Sequence, residues 1–154
     1  MKPLGVNRVV IAVKDIDKGK HLYSELLGAT FHNTNDEEAA ALGLQVAISW
    51  DAGIELVSPL ADRDTKVKHI IETRGEGLIG VVFLVDDIEK ARGAAEELGI
   101  PVGYTVDYSQ EQIDKYHQGR FSKFKEYMLD SRSTHGVGAI IGQIEPRCSG
   151  DPNE

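Results

Sequence analysis

The stretch Val6–Val13 is nearly all apolar and alternates poorly, the pattern of a strand buried on both faces. A helical pattern comes next. Asp15 stands as its N-cap, Lys18–Leu27 carries it, and Gly28 ends it. Leu22, Tyr23 and Leu26 form its predicted apolar stripe. The same phrase returns later in the chain: Leu78–Val85 reads as a strand, Asp87–Leu98 as a helix, and Gly99 as the stop. Val9, Val10, Val13, Asp15, Ile16, Lys18, Glu25 and Leu26 recur as Val81, Val82, Val85, Asp87, Ile88, Lys90, Glu97 and Leu98. An echo at a fixed spacing means two copies of one supersecondary unit.

The segments between the copies complete each unit. Ala29–His32 predicts a short strand and Thr34–Ala41 a polar loop. Leu44–Trp50 and Gly53–Ser58 read as strands around the turn Asp51-Ala52-Gly53, with Pro59 as the stop. Asp64–Thr73 predicts a linking helix with Val67, Ile70 and Ile71 on its apolar side, broken by Arg74-Gly75-Glu76-Gly77. After the second copy come a strand at Pro101–Val106 and a polar helix at Gln110–His117 that has no counterpart in the first copy. Strands at Lys125–Leu129 and Val137–Ile144 close the pattern.

The expected architecture is α+β: two pseudo-symmetric βαβββ modules, each a curved mixed sheet with a helix on its outer face. They span 1–62 and 77–145, joined by a linking helix at 63–76. An inserted helix lies near 109–118 and a flexible tail at 146–154. The open sheet faces need a cover, and a cleft where the copies meet is a natural small-molecule site.

Composition narrows the function classes. The chain has 154 residues, 41% hydrophobic and 27% charged, enough for a folded core. The net charge of −8 argues against nonspecific nucleic-acid binding, which draws on excess Lys and Arg. No apolar run approaches the roughly 20 residues of a membrane span, and MKPLGVNR lacks the apolar stretch of a signal peptide. The expectation is a cytoplasmic protein without membrane partners. The single cysteine, Cys148, permits neither an internal disulfide nor a cysteine metal cluster.

Candidate chemistry centres on two residues. Strand parity puts Arg8 with Val10 and Ala12, on the face away from the helix-packed Val9, Ile11 and Val13. A guanidinium there clamps a carboxylate or stabilises an oxyanion. Glu55, flanked by apolar Ile54 and Leu56, is the candidate general base. The competing reading pairs Arg8 with Glu55 in a structural salt bridge. Trp50 either lines a cavity mouth or packs at the core edge. Tyr104, Tyr108, Tyr116, Phe121, Phe124 and Tyr127 crowd one stretch, interleaved with Lys115, Arg120, Lys123 and Lys125. That stretch is either a lid over an aromatic ligand or an inserted helix packed on the sheet or a dimer contact. The five histidines form no close-spaced ligand pair, and no serine stands in a nucleophile-elbow context.

The element order, with the phrases VNRVVIAV at 6–13, GIELVSPL at 53–60, RGEG at 74–77, VDDIEKA at 85–91 and STHGV at 133–137, resembles the vicinal oxygen chelate superfamily. This is the glyoxalase, bleomycin-resistance and dioxygenase group. The resemblance covers roughly residues 4–145 and is closest in wording to the methylmalonyl-CoA epimerase subgroup. It implies a divalent metal held by the first and last strands of each module, stabilising an enolate-like anion. Here the implied ligand positions hold Arg8, Glu55, Gly80 and a stretch of Ile140, Ile141 and Gly142. Arginine donates no lone pair and glycine has no side chain. The expectation is therefore no metal and no cofactor. Gly80 becomes vacated room for substrate, and His135 lies near the cleft in the subgroup.

These readings converge on a metal-independent isomerase, epimerase or lyase that moves a proton next to a carbonyl. Arg8 and Glu55 are its catalytic residues, and Gly80, Trp50, Tyr104, Tyr108, Tyr127 and His135 its substrate contacts. The alternatives are a non-catalytic drug- or metabolite-binding protein and an epimerase with a rebuilt metal site. Ring-cleaving dioxygenase chemistry lacks its two-histidine, one-carboxylate triad. The expected ligand is a carboxylate, an acyl-CoA or an aromatic molecule, and the superfamily resemblance implies a homodimer.

Overall fold

A computed structural model describes residues 1–148. The order is β1 (Pro3–Ala12), α1 (Ile16–Leu27), β2 (His32–Asn33), α2 (Asp36–Leu42), β3 (Leu44–Ser49), β4 (Ile54–Pro59), α3 (Lys66–Arg74) and β5 (Gly77–Val85). Then come α4 (Ile88–Glu97), β6 (Val102–Asp107), α5 (Gln110–His117), β7 (Phe121–Leu129), a 3-10 turn at Ser131–Ser133, and β8 (Ala139–Pro146). The class is α+β, as the repeat predicts. Most of the expected tail, 149–154, lies outside the described residues. Packing divides the chain into two compact units. One is Val6–Val82, and the other joins Met1–Gly5 to the described residues from Phe83 onward. Among the described residues no helix is long and apolar enough to cross a membrane.

In the first unit the strand order is β2-β3-β4-β1-β5. β1 and β4 run parallel, with Val10 opposite Glu55 and Ala12 opposite Val57. β3 and β4 run antiparallel, with Ile48 opposite Glu55. The core under α1 joins Val13, Ala47, Ile54 and Leu56 to Val9, Ile11, Ile16 and Tyr23. The Asp15 carboxylate accepts from the amides of Asp17 and Lys18, and Gly28 ends the helix at φ 70.

Only part of the predicted stripe of α1 packs: Tyr23 meets the core, whereas Leu22 and Leu26 face solvent. Leu22 is 55% and Leu26 68% exposed, while Gly19 is buried. A Cβ on Gly19 would stand 3.1 Å from Leu56 Cδ1, so the missing side chain lets the helix approach the sheet closely. Periodicity identifies an apolar stripe; it does not say which of two stripes meets the sheet.

The expected loop at 34–41 is a helix. The Asn35 side chain accepts from the Glu38 amide, and Gly43 closes α2 at φ 69. Three alanines fill the turn between these caps, and local caps outweigh the polar composition. This changes the reading of α5 as well. α2 lies between the second and third strands of its module, and α5 lies at the same point of the other, so the second copy's extra helix has a counterpart in chain order.

In the second unit the order is β8-β7-β6. β7 starts at Phe121, earlier than expected, because that residue already pairs with Pro146 of β8. Val85, Ile88 and Tyr127 form its core beneath α4. α5 is started by a capping box between Ser109 and Gln112. It buries Ile113 and His117, and the His117 ring stacks 4.4 Å from Phe124. Phe124 points to the opposite face of β7 from Tyr127, so each side of this strand has its own helix.

Candidate active site

β1 delivers Arg8 and β4 delivers Glu55 to the same face. Ile54 and Leu56 belong to the core under α1, so Glu55 faces away from that helix, as does Arg8 between its neighbours. Arg8 Nε donates to Glu55 Oε2 at 2.5 Å, and its NH1 donates to Asn7 Oδ1 at 2.9 Å. The guanidinium carbon lies 5.3 Å from the centroid of the Trp50 ring, a cation–π distance. The Arg8 side chain is 3% and the Glu55 side chain 13% exposed.

The turn between β3 and β4 places Trp50. Ser49 Oγ donates to the Asp51 carboxylate, which also accepts the Thr30 amide at 3.2 Å. The Ser49 hydroxyl and the Thr30 amide hold the Asp51 carboxyl below its ordinary value. Gly53 turns the chain at φ 65, and its carbonyl accepts the Val9 amide at 2.9 Å. A Cβ there would stand 3.2 Å from the Asn7 carbonyl oxygen. The turn is thus pinned beside Asn7 and Arg8.

Two acid–base consequences arise. Arg8 holds one Glu55 oxygen, and Oε1 has no hydrogen-bond partner among the described residues, so it can still take a proton. A guanidinium fixed by a carboxylate, an amide oxygen and an indole face is a preorganised positive charge. The donor set does not fit a divalent ion. At the positions where the resemblance implies ligands, Arg8 offers no lone pair and Gly80 no side chain, and among the described residues no three His, Cys, Asp or Glu side chains gather.

The structure brings Arg8, Glu55 and Trp50 together, and Gly80 is buried in β5 of the same unit. The other expected contacts belong to the second unit. Tyr104 is 47% exposed on β6. Tyr108 is half-buried, stacked 5.5 Å from Phe124 and edge-to-face with Tyr116 at 5.2 Å. His135 is exposed at φ 59 after the 3-10 turn. Tyr127 is only 1% exposed, and its hydroxyl donates to Glu89 at 2.9 Å, so its place is in the core under α4.

Lys125 is bound within its own unit, at 2.8 Å from Glu89 and 2.9 Å from Asp107. The Glu89 carboxylate leads the partners that raise its pKa. In return the Lys125 ammonium, then the Tyr127 hydroxyl, lower that of Glu89. The local basic charge of this stretch is therefore partly cancelled.

Sequence reasoning missed Asn7 and Glu38. Asn7 was a polar residue inside an apolar strand, directly before Arg8. Glu38 is 4% exposed on α2. The pattern Asn35-x-x-Glu38 marks a helix start and signalled both the helix and the carboxylate.

The sequence profile of the Glyoxalase/Bleomycin resistance protein/Dioxygenase superfamily matches residues 7–117. No curated protein matches the chain in sequence. Among solved structures, methylmalonyl-CoA epimerase from Mycobacterium tuberculosis is similar at 20% identity and TM-score 0.69, over 95% of this chain and 90% of that one. A single-substitution variant of the Streptomyces coelicolor methylmalonyl-CoA epimerase, in complex with 2-nitronate-propionyl-CoA, is similar at 19% identity and TM-score 0.71, over 92% and 97%. A methylmalonyl-CoA epimerase in complex with methylmalonyl-CoA and NH4+ is similar at 19% identity and TM-score 0.70, over 95% and 100%. At these identities the likeness is one of fold.

Proposed function

We propose, from the premise that the chain belongs to the Glyoxalase/Bleomycin resistance protein/Dioxygenase superfamily, that it moves a proton next to a substrate carbonyl without a metal ion. The observation that carries this reading is the Arg8–Glu55 pair at 2.5 Å, on the sheet face turned away from α1. Glu55 Oε1 takes the proton from the carbon next to the carbonyl. The Arg8 guanidinium stabilises the negative charge that develops on the carbonyl oxygen, the work a divalent ion does elsewhere in the superfamily. Return of the proton to the same or the opposite face gives exchange or epimerisation. Loss of a neighbouring leaving group gives elimination. Asn7 and Trp50 hold the guanidinium, and Gly80 leaves space.

An acyl-CoA thioester is the substrate class of choice, because similar folds hold 2-nitronate-propionyl-CoA and methylmalonyl-CoA. A cytoplasmic homodimer completes the proposal. The test incubates the protein with a panel of 2-methyl-branched acyl-CoAs in deuterated water, with its metal content measured alongside. Deuterium entering the 2-position, lost in Glu55→Gln and retained after chelation, is the expected result. Glu38→Gln is run beside it as the other buried carboxylate of the unit. Exchange that vanishes on chelation, or that survives in Glu55→Gln, overturns the reading.

A second reading is supported by the near-complete burial of Arg8. A charge already neutralised by Glu55 suits a protein that binds a small molecule without transforming it. Saturable ligand binding with no exchange and no product over long incubation would favour it.

A further inference from the structure

A separate cavity of about 390 Å³ opens in the first unit between the first turn of α1 and α2, beside β2 and β3. It is distinct from the Arg8–Glu55 pair. Ile16, which lines it, packs into the core under α1, whereas Arg8 and Glu55 face away from that helix. The volume lies at the small-molecule end of the usual range for ligand sites, roughly 300–1,000 Å³.

The lining divides by chemistry. Ile16, Val46 and Leu60 give an apolar wall. Lys20 reaches in from α1 with its side chain 23% exposed. Its ammonium donates to Asn33 Oδ1 at 3.2 Å and pairs with Asp17 Oδ1 at 2.8 Å. An ammonium has three donors, so one remains beyond these two partners. Asp36 lines the same cavity from α2 and makes no ion pair among the described residues. Lys20 and Asp17 cancel each other, which leaves Asp36 as the uncompensated charge.

We propose that this cavity binds a small aliphatic zwitterion of the α-amino acid class. The ligand's ammonium meets the Asp36 carboxylate. Its carboxylate takes the remaining Lys20 donor. Its branched side chain lies against Ile16, Val46 and Leu60. A simple amine satisfies only Asp36 and a simple carboxylic acid only Lys20. The Lys20 ammonium held by two acceptors and the Asp36 carboxylate outside that ion pair, beside one apolar wall, carry this assignment.

The test is an amide-shift titration of the whole protein with three probes: leucine, 3-methylbutan-1-amine and 4-methylpentanoate. Leucine is expected to shift the amides of Lys20, Asn33 and Asp36 saturably and to raise Tm by mass action. Each one-charge probe is expected to bind roughly three- to tenfold more weakly, the worth of one partly exposed charged contact. Asp36→Asn should erase the preference for leucine over 4-methylpentanoate, and Lys20→Met the preference over the amine. Equal affinity of the three probes, no saturation by about 50 mM, or shifts centred on Arg8 and Trp50 would each overturn the proposal. Because no turnover is read, the result stands apart from the fate of the proton-transfer reading.

Discussion

Arg8→Met removes a guanidinium that is 3% exposed and leaves the Glu55 carboxylate, 13% exposed, without its cation. Breaking a buried pair on one side costs about 3–5 kcal/mol, because the remaining charge stays desolvated. The partial exposure of Glu55 admits some water and places this site at the lower end, near 3 kcal/mol. The lost NH1 bond to Asn7 and the lost stacking on Trp50 act in the same direction. For a chain of this size each kcal/mol lowers Tm by about 2–4 °C, so a fall of about 9 °C is expected. Urea denaturation followed by circular dichroism measures the free energy, with the m-value checked for constancy. Glu55→Gln and the double variant complete the cycle. A coupling of at least about 1.5 kcal/mol is expected, since the second substitution removes a group already stranded by the first. Additivity within about 0.5 kcal/mol would refute the description of Arg8 and Glu55 as a coupled buried pair. The mechanistic proposal would lose its basis with it.

Further outcomes can be measured on the same protein. Gly93→Ala is expected to stabilise by about 0.5–1 kcal/mol in urea denaturation, because Gly93 lies within α4 and a Cβ there meets nothing within 4 Å; a destabilised variant would contradict this packing. Gly19→Ala should instead destabilise by about 1–3 kcal/mol, since its Cβ meets Leu56 Cδ1 at 3.1 Å; an unchanged midpoint would mean α1 can lift freely. Leu56→Ala, at a fully buried side chain, should cost about 2–5 kcal/mol, and a loss below about 1 kcal/mol would place Leu56 outside the core. The carboxyls of Asp51, Asp87 and Glu89 lie below their ordinary values, held there first by the Ser49 hydroxyl, the Lys90 amide and the Lys125 ammonium respectively. Below those values the unfolded chain binds more protons than the folded one, so their stabilisation is present above the ordinary range and is lost as pH falls below about 4.5. Urea midpoints should drop through that window and drop less in Glu89→Gln; identical acid limbs would remove Glu89 from this account.

The repeat was legible because its signals are local. Asp15 and Asp87 cap helices in both copies by accepting amides two to three residues ahead. The strand–helix order and the α+β class need no more than such signals. The common face of Arg8 and Glu55 was also legible, since alternation along a strand is a consequence of backbone geometry. Two local signals went unread, the Asn35–Glu38 start of α2 and Asn7 beside Arg8.

Other features were beyond any local rule. Both Tyr23 and Leu26 belong to a helical stripe, yet Gly19 decides which face approaches the sheet, because only a residue without Cβ lets Leu56 come so near. Tyr127 and Phe124 both read as aromatics for a ligand. Pairing within β7 sends Tyr127 under α4 and Phe124 under α5, where His117 stacks on it. By itself the sequence determined the repeat, its elements and the residue types available for chemistry. Only the tertiary structure decided that Arg8 grips Glu55, 47 positions away in the chain. That contact depends on the parallel register of β1 and β4, which is set by packing across the sheet and by the pinned turn at Gly53.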